Sequence, residues 1–235
     1  MNHEVPTPIK TIIRQDIDDA LAVAAVDDPL LGETFGWLHR VTTNLLHKHG
    51  AILQSVLAQI LAESPGYKVL PPEDITISAD ADRLASRHNI SACLQTELPY
   101  DPRGPRTVRP DVIGFHEPTG TLQFVEAKRG QAKLSSATIR SETRDLQCLQ
   151  MLGRSWARSQ CLGAERVEAF AVSFYGRSGL PHQLSVAGDE LDEHFGFPVS
   201  AQIDAALAFG RHELEARLPA FFGSQGKPSF GLKGL

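Results

Sequence analysis

Two short runs, residues 108–115 and 121–127, are rich in β-branched and aromatic side chains and are joined by Glu117-Pro118-Thr119-Gly120. Proline at the second position and glycine at the fourth suit a type I turn, so the runs read as an antiparallel hairpin. A register that closes on Glu117 and Gly120 sets Asp111 directly opposite Glu126. Opposed residues project from the same face of a ladder, and Lys128, two residues past Glu126, shares that face. Val125 and Ala127 point the other way. The hairpin therefore commits the chain to two carboxylates and an ammonium at one end of a sheet, an arrangement that a one-residue bulge would destroy.

The rest of the chain must supply a core for this hairpin. With 235 residues, 42% apolar and 22% charged, the composition is that of an ordinary globular protein. Apolar residues at three- and four-residue spacing predict a long helix over 33–63, which Gly50 divides and Ser64-Pro65-Gly66 ends. Residues 75–89 are ambiguous. A first strand is expected over 92–98, ahead of the hairpin. A second long helix is expected over 135–160, opened by Ser135 or Ser136 and carrying Ile139, Leu146, Leu149, Leu152 and Trp156 on one side. A strand over 166–175 and a helix over 200–218 follow. The order helix, three strands, helix, strand predicts an α/β fold with a mixed sheet flanked by helices, extended by a C-terminal helix. The expected division is an acidic arm over 1–32 with Asp16, Asp18, Asp19, Asp27 and Asp28, a main domain over 33–220 and a mobile tail over 221–235.

Several classes of function fall away. The apolar run 20–26 stops at Asp27 and Asp28, far short of the ~20 residues of a membrane span. Met1-Asn2-His3-Glu4 shows no basic region before an apolar run, so a cytoplasmic location is expected and no membrane partner. Three cysteines, Cys93, Cys148 and Cys161, without CxxC spacing argue against a disulfide framework or zinc module and suggest small buried hydrophobes. His47 and His49 are two residues apart and face different directions on a helix, which disfavours zinc there. No phosphate-binding glycine motif and no GxSxG elbow occurs. Trp37 and Trp156 fall at apolar helical positions and read as core.

Two opposed carboxylates repel, and a divalent cation relieves them. Asp111, Glu126 and the Ala127 carbonyl offer hard oxygen ligands of the kind that Mg²⁺ or Mn²⁺ takes, with Lys128 beside them. Such a site would activate water for attack on a phosphate, with the lysine orienting that water or helping to deprotonate it and offsetting developing charge. The net charge of −5 argues against a general polyanion binder, yet residues 101–166 carry eleven Lys and Arg against seven Asp and Glu, leaving twelve against twenty-one elsewhere. The basic excess gathers around the carboxylates, as phosphate contact would require.

Pro110-Asp111 followed after a turn by Glu126-Ala127-Lys128 resembles the PD-(D/E)xK nuclease superfamily, over about residues 33–175. The resemblance implies a restriction-endonuclease-like fold with core order helix-strand-strand-strand-helix-strand, and metal-dependent hydrolysis of phosphodiesters, DNA by family analogy. It implies Asp111, Glu126, Lys128 and Gln147 as catalytic residues and Asp111, Glu126 and Ala127 as metal ligands. Arg109, Arg129, Lys133, Arg140 and Arg144 would meet the nucleic acid, with Arg144 a second choice to Gln147 at a phosphate. Many family members place a glutamate in the first helix. Here that helix offers Gln54, which brings no negative charge, and Glu63 at its end. The alternative is an inactive nuclease-fold module that binds nucleic acid or protein. A hydrolase of small phosphate esters is a third reading. A homodimer is compatible with the first, since members that cut both strands often pair.

Overall fold

The computed structural model describes residues 4–22, 29–30, 32–87, 89–130 and 132–224. The chain divides into two units, Met1–Val56 with Ala201–Leu235, and Leu57–Ser200.

The first unit is helical. Helix α1 spans Thr7–Leu21 and buries Ile9, Ile13, Ile17 and Ala20, a spacing of four, four and three residues that makes one apolar stripe. Its acidic face is paired: Asp16 and Asp19 accept from Lys48 Nζ at 2.8 and 3.1 Å, and Asp18 accepts from Arg217 at 2.8 Å. Helix α2, Gly32–Glu63, runs through Gly50 without a break, so the expected division there does not occur. The C-terminal helix α7 is Val199–Ser224, longer than the expected 200–218. Asp27, Asp28 and residues 225–235 of the expected mobile tail lie outside the described residues.

The second unit is α/β. Strands β1 Tyr67–Leu70, β4 Val112–His116, β5 Thr121–Lys128, β6 Arg166–Ser173 and β7 Ser185–Ala187 form one mixed sheet in the order β1-β4-β5-β6-β7. The first three pair antiparallel, whereas β5-β6 and β6-β7 are parallel. Between β1 and β4 the chain makes β2 Ile75–Ile77, α3 Ala79–Arg87, α4 Ile90–Leu94 and β3 Arg106–Val108, with β2 and β3 a separate two-stranded ladder. Helix α5, Ser136–Ser159, crosses from β5 to β6, and α6, Leu191–Phe195, follows β7.

The expected strand over 92–98 is therefore wrong, and β1 takes its place in the sheet. Asn89 decides the matter locally: its side chain accepts from Ala92 N at 2.8 Å and caps a helix that buries Cys93. Beyond that helix, Leu98 N donates to Met151 O of α5 at 2.9 Å rather than to a strand. Cys148 is buried as expected, but Cys161 is exposed.

One face of the sheet carries Ile113, Phe115, Leu122, Phe124, Ala169 and Ala171, all buried in one core with Leu146, Leu149 and Trp156 of α5 and with Ala81 and Cys93 of α3 and α4. The helix approaches closely because residue 153 is glycine: a Cβ there would stand 2.6 Å from Val167 Cγ1 and 2.7 Å from Phe124 Cε2. The opposite face packs Tyr67 and Phe170 against Phe195. Strand β7 pairs only residues 171–173 of β6, leaving the earlier half without a strand on that side. Gln150 of α5 fills the gap, its Nε2 donating to Val167 O at 2.7 Å and its Oε1 accepting from Ala169 N at 2.9 Å. Gln150→Leu leaves both main-chain groups without these partners, and we expect a loss of about 1–3 kcal/mol, read as a lower urea midpoint with unchanged slope. An unchanged midpoint would show that water replaces the carboxamide without loss.

Candidate functional site

The hairpin closes as a tight turn. Glu117–Thr119 makes a single turn of 3₁₀ helix, Gly120 N donates to Glu117 O at 3.2 Å, and Gly120 adopts φ 61°, the left-handed conformation that glycine enters without strain. The ladder that follows pairs Val112 with Val125 and His116 with Thr121, the register expected from the turn. Carried one residue further, it sets Asp111 opposite Glu126.

Hydrogen bonding gives the character of that last pair. Lys128 O accepts from Phe174 N at 3.0 Å, on the β6 side, while Ala127 N donates to Asp111 Oδ2 at 2.7 Å, on the β4 side. The main-chain groups of successive strand residues point to alternate sides, so Glu126 turns its own toward β6. Asp111 and Glu126 thus form a non-hydrogen-bonded pair, the kind that brings opposed side chains closest. By the same alternation the Ala127 carbonyl projects beside Asp111, past the start of β4.

Glu126 emerges from the buried run Phe124-Val125 and its side chain is only 14% exposed. Its carboxyl is pushed up to about 8, first by burial and then by the charges of Asp111 and Glu142, with Lys128 acting in the opposite direction. Lys128 Nζ donates to Glu142 Oε1 at 2.9 Å and to Glu126 Oε2 at 3.4 Å. Burial alone would lower its pKa, but the bond to Glu142 and the charge of Glu126 outweigh burial and raise it. Lys128 is consequently an ammonium, suited to neutralising charge rather than to accepting a proton.

Glu142 is the residue that the sequence reading missed. It stands on α5 four residues before Leu146 and seven before Leu149, both fully buried, and so continues the sheet-facing stripe. The signal was available: an acid where the pattern Ile139, Leu146, Leu149 calls for an apolar residue.

Other expected residues lie elsewhere. Gln147 is five residues on, about 140° around the helix from Glu142. It is 2% exposed and its side chain lies beside the Cys93 thiol. Arg144 donates to Asp82 of α3, which also accepts from Arg106 at 2.8 Å. Neither Gln147 nor Arg144 joins the carboxylate cluster. Arg109 and Arg140 are exposed, Arg140 about 200° around α5 from Glu142. Arg129 follows Lys128 directly, its carbonyl accepting from Tyr175 N at 2.8 Å, and the stem of exposed Lys133 lies over Gly179. Gln54 belongs to the helical unit, and exposed Glu63 accepts from Gln59 at 2.8 Å.

Among the described residues, no three His, Cys, Asp or Glu side chains already stand grouped as a metal site, and no helix is long and apolar enough to cross a membrane. A cleft of about 710 Å³ lies along the open half of β6, lined by residues such as Glu168, Phe170 and His194, and contains none of the cluster. Its size is no reason to prefer it, because the perturbed, converging charges are at the hairpin end. The donors there, two carboxylates and a carbonyl, are hard oxygens in negative excess, which fits Mg²⁺ or Mn²⁺. Comparison of the chain with family models, curated proteins and solved structures finds no match.

Proposed function

We propose that the chain is a metal-dependent phosphodiesterase of the PD-(D/E)xK type acting on nucleic acid, with DNA as the substrate suggested by family analogy. The observation that carries this reading is the opposed pair Asp111 and Glu126 in a half-buried site, with Lys128 alongside. Functionless like charges placed opposite one another in a ladder destabilise it, so the pair calls for a cation. The main sheet supports the reading by its order α2, β1, β4, β5, α5, β6, the family's succession of helix, three strands, helix and strand.

Asp111, Glu126 and the Ala127 carbonyl would hold Mg²⁺ or Mn²⁺. When bound, the cation supplies Lewis-acid activation of water and neutralises phosphate charge. The chain's own contribution is positional and electrostatic. Asp111 is oriented by the Ala127 N–H, Glu126 is held in low-dielectric surroundings, and Lys128 brings a fixed positive charge to where the reacting phosphate gains negative charge. Arg109, Arg129, Lys133 and Arg140 remain candidates for backbone contact, whereas Arg144 is engaged by Asp82. The test is cleavage of single- and double-stranded DNA and RNA with Mg²⁺, Mn²⁺ or EDTA. Metal-dependent products that vanish in Lys128→Met are expected, and no cleavage of any polymer with either metal would overturn the enzyme reading.

One observation favours an inactive nucleic-acid-binding or protein-interaction module instead: the second-helix residues expected at the phosphate, Gln147 and Arg144, are placed elsewhere. Such a module would bind DNA equally well with and without EDTA.

A further inference from the structure

Lys128 lies between two carboxylates that come from different elements. Its contact with Glu142 on α5, 2.9 Å, is within the range of a strong charge-assisted bond, while that with Glu126 on its own strand, 3.4 Å, is longer. All three side chains are largely buried, at 22, 14 and 21% exposed for Lys128, Glu126 and Glu142. Glu126 is two residues from Lys128 and would suffice as its counter-charge. A third carboxylate beside Asp111 and Glu126 adds repulsion that a structural role alone does not explain. The helix nevertheless delivers it on its core-facing stripe, where Leu146 and Leu149 anchor the backbone.

We propose that Glu142 is a positioning residue: it anchors the Lys128 ammonium on α5, so that the Glu126 carboxylate is left for the divalent cation. This inference rests on the metal reading above. Without Glu142 the ammonium settles on Glu126, the nearest remaining carboxylate, and competes with the cation there. With Glu142 in place the lysine stays beside the site while Glu126 engages the metal, its location set by helix packing and independent of what Glu126 binds.

The test is equilibrium binding of Mn²⁺, followed by electron paramagnetic resonance, in a double-mutant cycle of Glu142→Gln and Lys128→Met. Glu142→Gln should weaken Mn²⁺ binding about tenfold when Lys128 is present, the size usual for outer-sphere partners, and less than about twofold in the Lys128→Met background. No weakening with Lys128 present overturns the proposal. Equal weakening in both backgrounds also overturns it, because Glu142 would then act as a direct ligand or as general support. Glu142→Asp, which keeps the charge with a shorter reach, should fall between wild type and Glu142→Gln, and carries the same cycle if the glutamine variant unfolds. Wild-type protein that binds no Mn²⁺, or binds it unchanged after Asp111→Asn, fails at the level of the metal reading itself and takes this proposal with it.

Discussion

Asp111→Asn is expected to abolish metal-dependent cleavage, by at least about 10³-fold, while leaving the fold intact or more stable. The rate loss corresponds to about 4 kcal/mol of transition-state stabilisation and follows from removing one of two proposed anionic ligands. The asparagine carbonyl can still accept from Ala127 N–H, so the local geometry survives. The stability gain follows from the charge that pushes up Glu126: with Asp111 neutral, the opposed pair no longer repels and the Glu126 carboxylate ionises more easily. Thermal unfolding at pH 8 in EDTA should therefore give a midpoint at or above that of wild type. Cleavage at the wild-type rate would remove Asp111 from the site.

The second large effect is the pH dependence of cation binding. The Glu126 carboxyl has a raised value of about 8 in the fold and an ordinary value of 4.5 when unperturbed. Between these limits the folded apo protein holds a proton that the unfolded chain has released. Its contribution to stability is therefore fully present below about pH 4.5 and is lost as pH rises through about 8. A cation at Glu126 must displace that proton, so Mn²⁺ affinity should rise about tenfold per pH unit below pH 7 and about 50-fold in all from pH 6 to 8, then level off. The profile should flatten in Glu126→Gln, whose residual binding loses this proton. Calorimetry in buffers of different ionisation enthalpy would count the proton directly, and flat wild-type affinity over this range would show that Glu126 is not the group displaced.

The parts of the fold that were legible in the sequence are those fixed over short separations. Pro118 and Gly120 set the turn, the turn set the hairpin register, and Ser135 with the stripe from Leu146 to Trp156 set α5. Strand β1 escaped because Tyr67–Leu70 is four residues long between Pro65-Gly66 and Pro71-Pro72, too short to show a period. The segment after Asn89 was misread because its small and apolar residues fit a strand as well as a helix, and the cap hydrogen bond outweighed weak alternation. Charge partners were the least legible. Arg144 and Asp82 are 62 residues apart in sequence, and only the packing of α3 on α5 brings them together, which removes Arg144 from the set of phosphate contacts. Glu142 was misjudged for a related reason: its helical position was readable, but its partner comes from another element.

The turn at Glu117–Gly120 sits at the opposite end of the hairpin from the carboxylates, yet its length is part of their chemistry. Five ladder pairs carry the register from His116 and Thr121 to Val112 and Val125, and Gly120 O receives both Glu165 N and Arg166 N, which ties the tip to the start of β6. One residue gained or lost in the turn cannot be absorbed at a tip held in this way. It passes down the hairpin as a change of face and separates Asp111 from Glu126 without altering either. Loop length here is as constrained as the identity of the acids, and a homologous chain that keeps both carboxylates but changes this turn has changed its site.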